Sequence, residues 1–108
     1  MWFHENPQDM PLDPFITALL DHTIDEQIKH ISPFVKNCRN DTAKEVFHLR
    51  NPDDFALGMT LGSILESFRV AHRASYGKDF EADEVLEVIG VVVSRSAQIR
   101  DAITGTTN

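Results

Sequence analysis

Residues 51–105 read NPDDFALGMTLGSILESFRVAHRASYGKDFEADEVLEVIGVVVSRSAQIRDAITG, and this stretch decides the fold. Asn51-Pro52-Asp53-Asp54 is a helix start: a capping amide, proline at the first helical position, and two carboxylates beside the positive end of the helix dipole. The apolar run from Phe55 stops at Gly77, which suits a left-handed helix terminus. A second run, from about Phe80 to Ile103, stops before Gly105 in the same way. The short link Gly77-Lys78-Asp79 folds two such helices back on each other. The expected architecture is all-α: a small helical bundle whose long C-terminal antiparallel hairpin, about 52–76 and 80–103, packs on three or four shorter N-terminal helices.

Val85 to Val93 competes with that reading, because it holds five valines and one isoleucine, and β-branched residues favour sheet. The wider pattern decides. Ile89, Val92, Ser96, Ile99 and Ile103 recur at alternating steps of three and four, a helical stripe. Glu84 and Glu87 upstream and Arg95 and Arg100 downstream also suit a helix dipole.

Closing the hairpin about its turn sets Phe68 against Val88 or Ile89, Leu65 against Val92, and Gly58 against Ile99. Val85, Ile89, Val92 and Ile99 then fill the seam, while Val88 and Val91 point elsewhere. A helix that is apolar nearly all round is central to a bundle or lies in an interface. Homodimerisation through the second helix follows as the expectation, with Val88, Val91, Ile99 and the G-x-x-x-G step Gly58–Gly62 as interface residues.

Upstream, residues 1–12 hold Pro7 and Pro11 and read as an extended arm, with Trp2 and Phe3 packed on the body or on a partner. Asp13-Pro14 starts a helix with Phe15, Ile16, Leu19 and Leu20 on one face. Thr23 to Glu26 matches a capping box, so a new helix or a jog is expected there, running to about Ile31. Ser32-Pro33 opens a short turn to Arg39 with Phe34 and Val35 inward. Asn40-Asp41 caps a helix over 42–50 carrying Ala43, Val46, Phe47 and Leu49. The polar tail 104–108 reads as frayed.

A chain of 108 residues, 42% hydrophobic and 25% charged, is one ordinary globular domain over 1–108. No run approaches the ~20 apolar residues of a membrane span. The N-terminus lacks the basic start and apolar core of a signal peptide. Cys38 stands alone, so an internal disulfide is excluded and a reducing cytoplasm is the expected location. The net charge of −7 is uneven. Residues 1–28 carry six acids and no Lys or Arg, residues 29–50 sum to +3, residues 51–78 balance, and residues 79–108 sum to −4. Direct nucleic-acid binding is disfavoured, since it needs phosphate-neutralising charge.

Three constellations carry polar chemistry. His22, Glu26 and His30 fall at i, i+4, i+8, a metal-holding spacing on a continuous helix, although a cap at Thr23 would break it. Glu66 on the first long helix, with Glu84-x-x-Glu87 on the second, resembles the all-helical nucleotide pyrophosphohydrolases of the MazG type over residues 55–100. That resemblance implies glutamates holding Mg²⁺ over a substrate pyrophosphate. Here Gly62 and Ser63 stand where that family's first helix has a second glutamate, and Glu87 stands where an aspartate is usual. His72 falls opposite Glu84 or Val85, which makes a buried His–Glu pair. Cys38, between Lys36 and Arg39 in its neighbourhood, is expected to have a lowered pKa, without a base to make it a nucleophile.

The chain carries no nucleophile motif, phosphate loop or cofactor signature. Its expected function is that of a small acidic, non-catalytic interaction or regulatory protein, a homodimer whose acidic ends suit a basic partner such as a nucleic-acid-binding protein. The alternative is a metal-dependent pyrophosphohydrolase-like enzyme using Glu66, Glu84 and Glu87.

Overall fold

The computed structural model describes residues 14–107, and these form six α-helices: α1 (Pro14–Lys29), α2 (Ile31–Arg39), α3 (Asp41–Val46), α4 (Pro52–Tyr76), α5 (Ala82–Ser94) and α6 (Ser96–Thr104). The expected N-terminal arm, with Trp2 and Phe3, lies outside the described residues. The protein is all-helical, as its sequence pattern indicates. Among the described residues no helix is long and apolar enough to cross a membrane.

α4 is the central element and starts as its sequence dictates. The Asn51 side chain accepts from the Asp54 amide at 3.1 Å, and Pro52 occupies the first turn. It ends at Gly77, left-handed at φ +74°, whose N–H donates to the Arg73 carbonyl at 2.8 Å. Ala56, Thr60, Ile64, Phe68 and His72 recur every four residues and form its buried stripe. α1, α2 and α6 pack against it. They contribute Ile16, Leu20 and Ile24, then Ile31, Val35 and Cys38, then Ile99 and Ile103.

The second arm of the hairpin differs from expectation, because it breaks at Arg95 into α5 and α6. The Ser94 hydroxyl donates to the Val91 carbonyl and the Ser96 hydroxyl to the Val93 carbonyl, both at 2.7 Å. The Arg95 N–H closes a tighter three-residue turn onto Val92. Hydroxyls competing for helix carbonyls bend helices. Across the break the buried residues stay on one face, Val88 and Val92 on α5 in line with Ile99 and Ile103 on α6. Val88 is 2% exposed and Ile99 is fully buried, so both belong to the core of the single chain, not to a surface between chains. Val91 is half-buried against the same core. Val85 and Ile89, expected in the seam, are half-exposed at its edge.

α5 meets the C-terminal half of α4 through large side chains. Phe80 stacks on Phe68 at a ring separation of 5.4 Å, and Leu65 shares a hollow of about 190 Å³ with Val85, Val88 and Ile89. Gly58 and Gly62 do not admit a helix of this chain: both are exposed, and a Cβ at either would meet nothing within 4 Å.

Other boundaries shift for similar reasons. α1 runs unbroken through Thr23, whose hydroxyl donates back to the Leu19 carbonyl at 2.9 Å instead of capping a new helix. The buried stripe Ile16, Leu20, Ile24 carries the helix across that point. α3 ends at Val46, and the following turn places His48 at φ +54°. Val46, Phe47 and Phe15 are exposed, and Phe34 sits at the edge of exposure. Gly105 is right-handed at φ −77°, unlike Gly77. The chain beyond it is pinned rather than frayed as far as Thr106, which is buried. Its hydroxyl donates to the Ala102 carbonyl at 3.0 Å and shares a hydrogen bond with Ser32 at 3.1 Å.

Candidate interaction surface

The carboxylates of the enzyme reading are spent locally and separately. Glu66 receives two hydrogen bonds from Arg69, at 3.0 and 2.8 Å, and that guanidinium holds its carboxyl below the ordinary value. Glu84 closes a capping box with one oxygen on the Glu81 amide at 2.9 Å, while the other faces His72 Nε2 at 3.6 Å. Glu87 lies one turn further along α5, half-buried. Glu26 pairs with His30 just beyond the end of α1, at 3.5 Å, and His22 stays exposed a turn away. Among the described residues no three His, Cys, Asp or Glu side chains converge in a metal-holding group.

The His72–Glu84 pairing does form where the hairpin register places it. His72 is 3% exposed, its Nδ1 lies 3.1 Å from the Lys78 carbonyl, and its ring lies against Phe80 at 4.3 Å and Tyr76 at 4.9 Å. It plugs the hairpin turn, satisfying a loop carbonyl that packing would otherwise strand.

Arg39 is a centre that sequence reasoning missed. Its guanidinium grips Asp53 with two parallel bonds, at 2.8 and 3.0 Å, and donates to the Ile103 carbonyl at 2.9 Å and the Thr106 carbonyl at 2.5 Å. One planar fork thus ties α2 to the start of α4 and to the carbonyl end of α6. The hydrogen bond from Arg39 is the main reason that the Asp53 carboxyl titrates below its ordinary value. Beside it, burial chiefly, with the charge of Asp53 adding, pushes the Cys38 thiol up, the reverse of what its basic neighbours suggested.

Four further arginines are engaged by acids of the same chain. Arg95 reaches Asp21 and Asp25 on α1, Arg100 reaches Asp54, Arg69 bridges Glu66 and Asp79, and Arg73 also holds Asp79. Asp79 is accordingly held below the ordinary carboxylate value, Arg73 being the first cause. With these cations committed internally, the chain presents its excess acid to its surroundings.

Among the described residues, beside single exposed side chains such as Phe15, Val70 and Tyr76, two apolar surfaces stand out. On α5, Leu86 is 71% exposed, Val93 63% and Ile89 42%, with Val85 beside them and Gly90 in their midst. Four side chains of this size and exposure present on the order of 400 Å², the range in which a patch marks a binding surface. The second place is a trough of about 380 Å³ between the end of α1, α2 and α4, floored by Ile31, Phe34 and Met59. A smaller hollow of about 200 Å³ shares Phe34 and Met59 and ends at Phe47 and Phe55, whose rings stack at 5.6 Å. The exposed Gly58–Gly62 face lies along the same helix. The apolar circumference of residues 82–94 is the signal that could have found the ridge, but which side faces outward depends on how Val88 and Val92 pack into the core.

No family model matches this sequence, and neither a curated protein nor a solved structure matches it.

Proposed function

We propose that this protein is a small acidic, non-catalytic interaction or regulatory protein that works as a homodimer and inhibits a basic, nucleic-acid-binding partner in the cytoplasm. The single observation that carries the reading is the exposed ridge Leu86, Ile89 and Val93 on a chain of net charge −7. Support comes from the arginines: the committed pairs leave few free cations to attract phosphate, while acids of the 79–87 segment flank the ridge. The ridge supplies the surface on which two copies join, and the acids that remain exposed on the dimer steer it to the groove of a protein built for nucleic acid.

The test is competition. A basic DNA-binding protein is preloaded with a fluorescent duplex, and this protein is titrated in at several salt concentrations. Displacement that weakens as salt rises is expected, since screening shortens the reach of the acids; no displacement at low salt overturns the inhibitor reading. In parallel, nucleoside triphosphates are incubated with the protein and Mg²⁺. Turnover that disappears in Glu84→Gln would replace this reading with the pyrophosphohydrolase one.

A further inference from the structure

We infer that two copies of this chain meet along the α5 ridge, antiparallel, about a two-fold axis that passes between Ile89 and Gly90. The inference rests on the homodimer reading above and names its surface and geometry.

Self-complementarity is the first argument. Turning one α5 end for end over another about that axis sets Leu86 opposite Val93 of the second copy and Ile89 opposite its Gly90. Ile89 is a half-exposed knob, and Gly90 offers a hole: it is exposed, and a Cβ built there would meet nothing within 4 Å. The symmetry makes the same knob-and-hole contact twice. Glycine inside a helix costs about 1 kcal/mol relative to alanine, and no contact within the chain requires the missing side chain at position 90. Close approach of a second helix would make use of it.

Charge decides the direction. Glu81, Asp83 and Glu84 crowd the first turn of α5. Parallel association would set the two acidic clusters side by side. Antiparallel association separates them by nearly the length of the helix, roughly 18 Å at 1.5 Å per residue, about twice the Debye length of 8–10 Å at physiological salt. It also opposes the two helix dipoles.

Area is consistent with this geometry. A stable dimer of ordinary size buries about 800 Å² on each partner, and the ridge supplies on the order of half of that. The hollow of about 190 Å³ alongside, walled by Leu65, Phe80 and Val85, adds apolar surface contiguous with Ile89. Val93 of the second copy falls at the level of that hollow in the antiparallel arrangement.

Sedimentation of the full chain from micromolar to submillimolar concentration tests the dimer. A monomer throughout overturns the homodimer reading itself. Leu86→Glu and Val93→Glu alter exposed positions, so helicity by circular dichroism should be unchanged, while the dimer weakens on the order of tenfold or more. A dimer indifferent to both substitutions keeps the homodimer reading but removes it from this ridge. Geometry is read by disulfide trapping in a Cys38→Ala background. Leu86→Cys mixed with Val93→Cys should crosslink on oxidation, whereas neither should crosslink efficiently alone. Efficient crosslinking of each alone, without crosslinking in the mixture, means a parallel pair and overturns the inference.

Discussion

Val88 and Ile89 are neighbours in sequence, about 100° apart around α5, and packing buries the first while leaving the second half-exposed. Truncating each to alanine reads directly which side of α5 faces the core. Val88 is 2% exposed, so Val88→Ala removes about two methylene equivalents at ~0.8 kcal/mol each. The site is closed, and a residual cavity adds roughly 1 kcal/mol; alanine's better helix propensity returns about 0.5 kcal/mol. The expected loss is about 2 kcal/mol, or some 8–16 °C in Tm at 4–8 °C per kcal/mol. Ile89 is 42% exposed, so Ile89→Ala removes three carbons that were only partly sheltered and leaves no enclosed cavity. Its loss should stay near or below about 1 kcal/mol once propensity is credited. Urea unfolding followed by far-ultraviolet circular dichroism measures both, with the slope checked for constancy. Dilute samples isolate the monomer, because association couples stability to concentration. Equal losses, or a larger loss at Ile89, would mean that α5 turns its Ile89 side to the core, and the inward face defined by Val88 and Val92 would be wrong.

The Arg39–Asp53 clamp gives a pH signature. The folded-state pKa of Asp53 lies below its ordinary 3.8, so its contribution is present above that value and is lost as pH falls through the lowered one. Asp53→Asn should therefore be less stable at neutral pH and lose less stability on acidification from about pH 5 to about pH 2; parallel curves for the two proteins would refute the clamp. The glycines should divide by backbone angle. Gly58→Ala, in open helix, should stabilise the monomer by about 0.5–1 kcal/mol, whereas Gly77→Ala, forced to φ +74°, should destabilise by about 1 kcal/mol; like signs in thermal melts would contradict the backbone. Cys38, buried and with its thiol pushed up, should resist iodoacetamide in the native protein and react readily in urea. Native labelling as fast as that of a free thiol would place it at the surface.

Much of the fold is legible wherever signals are local. The Asn51-Pro52 start and the Gly77 end of α4 are set by capping chemistry within a few residues, and a 3.6-residue period carries the helix between them. The His72–Glu84 pairing is legible because a short turn leaves little freedom of register. Three features were not legible because they depend on competition at a distance. Thr23 resembles a cap, but burial of Ile24 against α4 outweighs it. Ser94 and Ser96 are innocuous in a helical window until Arg95 finds Asp21 and Asp25 on α1. Arg39 looks like one more charge in a basic block, and nothing in its neighbourhood announces a carboxylate 14 residues on and two carbonyls more than 60 residues away. The ridge on α5 was missed for the same reason: the helix was recognisable, the side that it buries was not.

Helical packing has a consequence for residues 85–93 when it is lost. Their composition, five valines and an isoleucine without a proline, belongs to extended chain as readily as to helix. What holds them helical is the burial of Val88 and Val92 on one side of α5, with Arg95 anchoring the exit. α6, by contrast, has Arg39 gripping its far end. Thermal opening should accordingly release α5 before α6, and hydrogen exchange along the two helices would show it. A freed Val85–Val93 segment is of the length and kind that stacks into intermolecular β-structure. Glu84 before it, Glu87 within it and Arg95 after it then act as gatekeepers, charges that keep the exposed strands of different molecules from zipping together while the helix re-forms.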